Sequence, residues 1–135
     1  MMTRIDARDR LIVALDVPSA AEADALVARM GDQVRFVKVG LELYTVAGPD
    51  IVRKLVDRGK RVFLDLKFLD IEETVRRATA RVAAMGATFL TVHANRKALI
   101  AAVQGRGSSD LKLLAVTVLT NFDGEDLREM GIQRS

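Results

Sequence analysis

The chain has 135 residues, 50% of them hydrophobic and 29% charged, which suits a folded α/β unit with enough apolar surface for a core and excludes a disordered chain. Its 21 Lys and Arg against 18 Asp and Glu leave a net charge of only +3, and aromatic residues make up 4%. No basic run is interleaved with rings, so a nucleic-acid polymer is not an expected partner.

The absence of cysteine and the single histidine, His93, leave neither a disulfide framework nor a thiolate or histidine metal set. The charged N-terminal stretch Met1–Arg10 has no apolar core ahead of a cleavage site, and no apolar run is long enough to cross a bilayer. Neither a signal peptide nor membrane contact is expected, and the expected location is the cytoplasm.

Leu11–Val17 is a short, continuous apolar run closed by Pro18-Ser19, the pattern of a strand buried on both faces. Ser19 with Glu22 three residues on predicts a capping box for a helix ending near Met30-Gly31. Val34–Val39 is the second strand, with Gly40 at its exit. Gly48-Pro49-Asp50 opens the next helix, whose apolar positions Ile51, Val52, Leu55 and Val56 recur at helical spacing before Gly59. The third strand is Arg61–Leu66, followed by a helix from Ile71 to Gly86 with Val75, Ala78, Val82 and Met85 on one stripe. Thr88–His93 is the fourth strand, Lys97–Val103 a helix, and Gly105-Arg106-Gly107-Ser108-Ser109 a loop. Leu111–Leu119 is the fifth strand, and Glu125–Met130 begins a further helix.

Strands and helices thus alternate without a hairpin signal, as in βαβ units around a parallel sheet. A dinucleotide-binding sheet would carry a glycine-rich turn after its first strand, where this chain has Asp16-Val17-Pro18-Ser19. Polar residues instead sit near the ends of successive strands: Asp16, Lys38, Asp65 with Lys67, His93, and Thr120. In a barrel such ends converge on one mouth, where active sites are built. The expected fold is therefore a TIM-type (β/α) barrel, incomplete, with about five parallel βα units against the usual eight. Residues 1–135 form a single domain on this reading.

Asp65 and Lys67 lie two apart at the end of an apolar strand, so they share a face. A solvated salt bridge would account for Asp-x-Lys alone. Lys38 at a comparable point one strand earlier, together with Asp70, makes an alternating set of two cations and two anions.

The segment Asp65-Leu66-Lys67-Phe68-Leu69-Asp70-Ile71-Glu72-Glu73-Thr74-Val75 resembles the signature of orotidine 5′-monophosphate decarboxylases, in which Asp-x-Lys-Phe-x-Asp-Ile is followed by Thr. Leu15-Asp16, Phe36-Val37-Lys38-Val39-Gly40-Leu41-Glu42, Thr91-Val92-His93-Ala94 and Ala115–Thr120 fall in the family's order, so the resemblance spans nearly the whole chain. It implies decarboxylation of orotidine 5′-monophosphate with no cofactor and no metal. Lys67 would deliver a proton to C6 of the pyrimidine, and Asp65 would sit against the departing carboxylate. Lys38 and Asp70 would complete the charge array. Asp16 and Lys38 would reach ribose hydroxyls. Asp70 and Thr74 would reach across a homodimer interface to the neighbour's ribose, Ile71 would bind substrate, and Thr120 would meet the base edge. His93 has no proton-transfer role by this resemblance and is expected to be structural.

Decarboxylation to a vinyl carbanion needs an electron sink or strong electrostatic stabilisation, and a fixed ammonium supplies the latter. Sugar-phosphate relatives that share Asp-x-Lys-x-x-Asp carry a metal-binding Glu where this chain has Lys38, and lysine does not ligate Mg²⁺ as a carboxylate does. A Mg-dependent sugar-phosphate decarboxylase or aldolase is the alternative enzyme on this scaffold, and a non-catalytic nucleotide-binding half barrel the alternative of another class. The chain departs from the family pattern at Leu69, Glu72, Glu73, Arg96-Lys97 and Asn121. Glu72 and Glu73 suit the positive end of a helix dipole. The family's phosphate-binding segment lies beyond the fifth strand, so the chain is expected to be the N-terminal, truncated part of such an enzyme, impaired alone and prone to self-association.

Overall fold

Short β-branched and leucine runs line up as one five-stranded parallel sheet in the computed structural model, which describes residues 5–133. The strands are β1 (Ile12–Ala14), β2 (Phe36–Gly40), β3 (Arg61–Phe68), β4 (Phe89–His93) and β5 (Lys112–Val116), side by side in chain order. The helices are α1 (Ala20–Met30), α2 (Leu41–Ala47), α3 (Asp50–Asp57), α4 (Glu72–Ala84), α5 (Arg96–Arg106) and α6 (Gly124–Glu129).

Because side chains alternate across a strand, each strand sends one set of residues into the helix layer. Val37 and Val39, Val62 and Leu64, and Leu90 and Val92 are buried there against Val27, Leu43, Ile51, Leu55, Val75 and Val82. The alternate residues line the other face. At one end of it Phe36 and Phe89 stack with ring centres 5.3 Å apart, Phe63 meets Phe89 edge-on at 5.9 Å, and the Arg61 guanidinium lies 4.5 Å over Phe36. This aromatic floor leaves the polar residues Lys38, Asp65 and Thr91 nearer the strand ends.

The elements begin where local chemistry directs. Ser19 Oγ accepts from the Glu22 amide at 3.2 Å, and its hydroxyl donates to the Glu22 carboxylate at 3.3 Å, a side-chain variant of the expected box. Asn95 caps α5 by accepting from the amides of Lys97 and Ala98.

Several expectations need correction. β1 is shorter than Leu11–Val17 and is not buried on both faces: Ile12 and Ala14 are exposed and Val13 half-buried, while Leu15, just past the end of the strand, is fully buried. It is an edge strand, and its face away from the helices has no opposing wall. A helix, α2, was not expected between Gly40 and Gly48. Gly105 and Arg106 belong to α5 rather than to a loop, because the missing side chain of Gly105 lets α5 lie against α4. β5 ends at Val116, so Thr120 sits in a turn after the strand instead of at its end. Residues 1–4, part of the charged N-terminal stretch, and residues 134–135 lie outside the described residues. Among those described, no helix is long and apolar enough to cross a membrane.

Candidate active site

β1, β2, β3 and β4 bring Asp16, Lys38, Asp65, Lys67 and Thr91 together near their C-terminal ends. The parallel register places Lys38 opposite Ala14 and Phe63 and places Asp65 opposite Gly40, so Lys38 starts two residues before the level of Asp65 and its long side chain reaches forward to the carboxylates. Lys38 Nζ stands 3.8 Å from Asp16 Oδ1 and 3.7 Å from Asp65 Oδ2. Lys67 Nζ donates to Asp65 Oδ1 at 2.9 Å. Asp65 is thus held between two ammonium groups, with its side chain 14% exposed, whereas the Asp16 side chain is 65% exposed.

The pairing of Asp65 with Lys67 does not come from regular strand alternation. Leu64 is opposite Leu90 and Phe68 is opposite Val92, so β3 fits three residues where β4 has one. β3 therefore bulges, and Lys67 takes a left-handed backbone conformation with φ 49°, the only positive φ outside glycine among the described residues. Thr91, which the sequence offered only as an ordinary strand residue, lies against the bulge. Its hydroxyl donates to Asp65 Oδ1 at 2.8 Å and accepts from the Lys67 amide at 2.9 Å. Burial pulls the Asp65 carboxyl upward, but hydrogen bonds from Lys67 and Thr91 and the charges of Lys67 and Lys38 outweigh it, holding the group below its ordinary 3.8.

The remaining predicted residues are placed elsewhere. Asp70 is exposed, and its carboxylate accepts from the Ile71 amide at 2.7 Å, so within one chain it does not join Lys67. Ile71 is 74% exposed, and Thr74 is also exposed, on the first turns of α4. With Leu69 at 57% exposure, Ile71 leaves two apolar side chains exposed just before α4. Thr120 is exposed in its turn, and His93 is half-buried at the end of β4. Glu73 is engaged by Arg76 and Arg77, whose hydrogen bonds lower its carboxyl to about 2, and Glu72 lies 3.8 Å from Lys97. Both acidic residues stand in the first turn of α4, where negative charge suits the helix dipole.

The arrangement can hold an anionic group beside a fixed ammonium, and it offers a divalent cation little. The carboxylate in the centre is already neutralised from both sides, and among the described residues no group of three or more His, Cys, Asp or Glu side chains stands ready for a metal.

A family model for orotidine 5′-phosphate decarboxylase / HUMPS proteins matches residues 9–135. The orotidine 5′-phosphate decarboxylase of Nitrobacter winogradskyi is 54% identical over 129 residues, which cover 96% of this chain and 54% of that protein. The protein of the same name from Bradyrhizobium sp. is 50% identical over 131 residues, 97% of this chain and 54% of that one. Among solved structures, orotidine 5′-phosphate decarboxylase from Lactobacillus acidophilus superposes with a TM-score of 0.82 at 39% identity, covering 93% of this chain and 60% of that one. The five βα units are accordingly part of the barrel fold of those enzymes. The chain spans about half the length of the curated relatives it matches.

Proposed function

The chain belongs to the orotidine 5′-phosphate decarboxylase / HUMPS family, and from that premise we propose that it is the N-terminal portion of an eightfold barrel that converts orotidine 5′-monophosphate to uridine 5′-monophosphate without a cofactor. The reaction would serve pyrimidine nucleotide synthesis in the cytoplasm. The observation that carries this reading is Asp65 fixed between the ammonium groups of Lys38 and Lys67.

The bond from C6 to the carboxylate breaks, its electron pair stays on C6, and carbon dioxide leaves. Lys67 Nζ gives its proton to that carbon, and the neutral amine regains a proton from water. Asp65 places negative charge against the substrate carboxylate and so favours its departure. Lys38 keeps Asp65 ionised and in place, which means the stabilisation is set before substrate arrives. Asp16 and Lys38 bind ribose hydroxyls. Asp70 and Thr74 contribute from a homodimer partner, a role supported by their exposure beside the apolar Leu69, and Ile71 binds substrate. Thr120 reads the base edge.

The metal-dependent sugar-phosphate alternative is disfavoured by Lys38, since an ammonium 3.7 Å from Asp65 repels a divalent cation from the half-buried carboxylate at the centre of the cluster. The test is loss of orotidine 5′-monophosphate absorbance with and without chelator, in the longest polypeptide the gene encodes. Chelator-resistant turnover supports the proposal. Turnover abolished by chelator supports the metal enzyme, and nucleotide binding without turnover supports a binding half barrel.

A further inference from the structure

Three residues of β3, Asp65, Leu66 and Lys67, lie opposite one residue of β4, Thr91, between the register pairs Leu64–Leu90 and Phe68–Val92. Such a bulge takes backbone amides out of the sheet ladder, and a half-buried amide needs another acceptor. For Lys67, at φ 49°, that acceptor is a side chain: its amide donates to Thr91 Oγ1 at 2.9 Å. An amide can only donate and a carboxylate only accept, so the single hydroxyl proton is committed to Asp65 Oδ1, 2.8 Å away. Asp65 Oδ1 in turn accepts from Lys67 Nζ at 2.9 Å. A closed ring results, running from the Lys67 backbone through Thr91 and Asp65 to the tip of the same lysine. Thr91 is 5% exposed, and its β-branched side chain has few rotamers to choose from, so the ring's fixed point is rigid.

We propose that Thr91 is a positioning residue that holds the Lys67 backbone in its left-handed bulge and the Asp65 carboxylate against the Lys67 ammonium through one hydroxyl. The catalytic consequence rests on the decarboxylase reading; the positioning does not. Valine matches threonine in shape but removes both hydrogen bonds, leaving the Lys67 amide without its acceptor and Asp65 with one donor fewer. Serine restores the hydroxyl.

The test uses Thr91→Val and Thr91→Ser in the longest polypeptide the gene encodes. It reads the Asp65 carboxyl titration and Lys67 amide exchange by NMR, and kcat and KM for orotidine 5′-monophosphate. Thr91→Val should raise the Asp65 titration midpoint, speed Lys67 amide exchange about tenfold or more, and lower kcat by a similar factor with little change in KM, as loss of hydrogen bonds to a charged group implies. Thr91→Ser should recover most of each change. Unaltered Asp65 titration and Lys67 exchange in Thr91→Val overturn the proposal. So does a Lys67 amide that exchanges at an exposed-loop rate in the unmodified protein, a result that needs no variant to fold. If the NMR changes appear and revert while the unmodified protein shows no turnover, the positioning stands and the decarboxylase reading falls. Normal turnover in both proteins with unmoved NMR signals overturns the positioning and leaves the decarboxylase reading in place.

Discussion

Replacing Gly105 with alanine sets helix propensity against packing, and the structure says which prevails. Gly105 lies in the last turn of α5, where an added Cβ would stand 2.2 Å from the Arg76 carbonyl oxygen and 2.9 Å from Thr79 Cβ of α4. Ordinary contact begins at 3.4 Å, so the two helices would have to separate by about 1 Å. The Arg76 oxygen is a main-chain atom within α4 and cannot turn aside. Alanine gains about 1 kcal/mol of intrinsic helix preference over glycine. Overpacking costs about 1–3 kcal/mol, and this contact sits at the upper end because the α4–α5 packing also buries Val75, Val82, Ala98 and Ala102. The expected net effect is a destabilisation of about 2 kcal/mol. With a urea dependence of roughly 2 kcal/mol per molar, the unfolding midpoint followed by far-ultraviolet circular dichroism should fall by about 1 M. A midpoint equal to or above that of the unmodified protein would refute the close approach of α4 and α5.

Asp65→Asn tests the electrostatics of the cluster. Because the folded carboxyl titrates below 3.8, its charge contributes stability above that pH, and the contribution is lost as pH falls through the folded value. The urea midpoints of the two proteins should therefore differ at neutral pH and converge in acid; a difference that does not change with pH contradicts the assignment. The 135-residue chain alone leaves β1 and β5 as open edges and exposes Ile12 and Leu114 on its strands. Sedimentation velocity should show concentration-dependent association, and a monomer with a sharp cooperative melt would count against the open-edge picture.

The alternation of βα units was legible because the strands of the sheet read as short apolar runs, α1 opens on Ser19 with Glu22, and α3 and α4 carry apolar residues at helical spacing. α2 was not, since it is seven residues long, includes the β-branched Thr45 and Val46, and has no side-chain cap. Gly105 resembled a loop residue in a glycine-rich stretch, whereas its reason for being glycine is a neighbouring helix that only the folded chain supplies. The exposure of β1 was hidden for the same kind of reason: an apolar run does not reveal whether a wall faces it. Asp65 and Lys67 were expected on one face by regular alternation and do meet, but through a bulge. Thr91 lay in a segment that falls in the family's order but carried no signal of a role in the site, because a threonine in a strand looks like any other β-branched residue until its hydroxyl is seen to have two partners. Asp70 completes the alternation in the sequence, yet its carboxylate turns to the neighbouring amide within the single chain.

In the proposed reaction the Lys67 ammonium, fixed against Asp65, delivers the proton. The most direct measurement is the orotidine 5′-monophosphate decarboxylation rate of Lys67→Ala beside the unmodified protein, in the longest polypeptide the gene encodes, with urea unfolding recorded on both. Loss of a positioned acid together with its electrostatic stabilisation predicts a rate lower by roughly 10⁴-fold or more with the fold retained. A folded variant that keeps its rate to within about tenfold would contradict the claim.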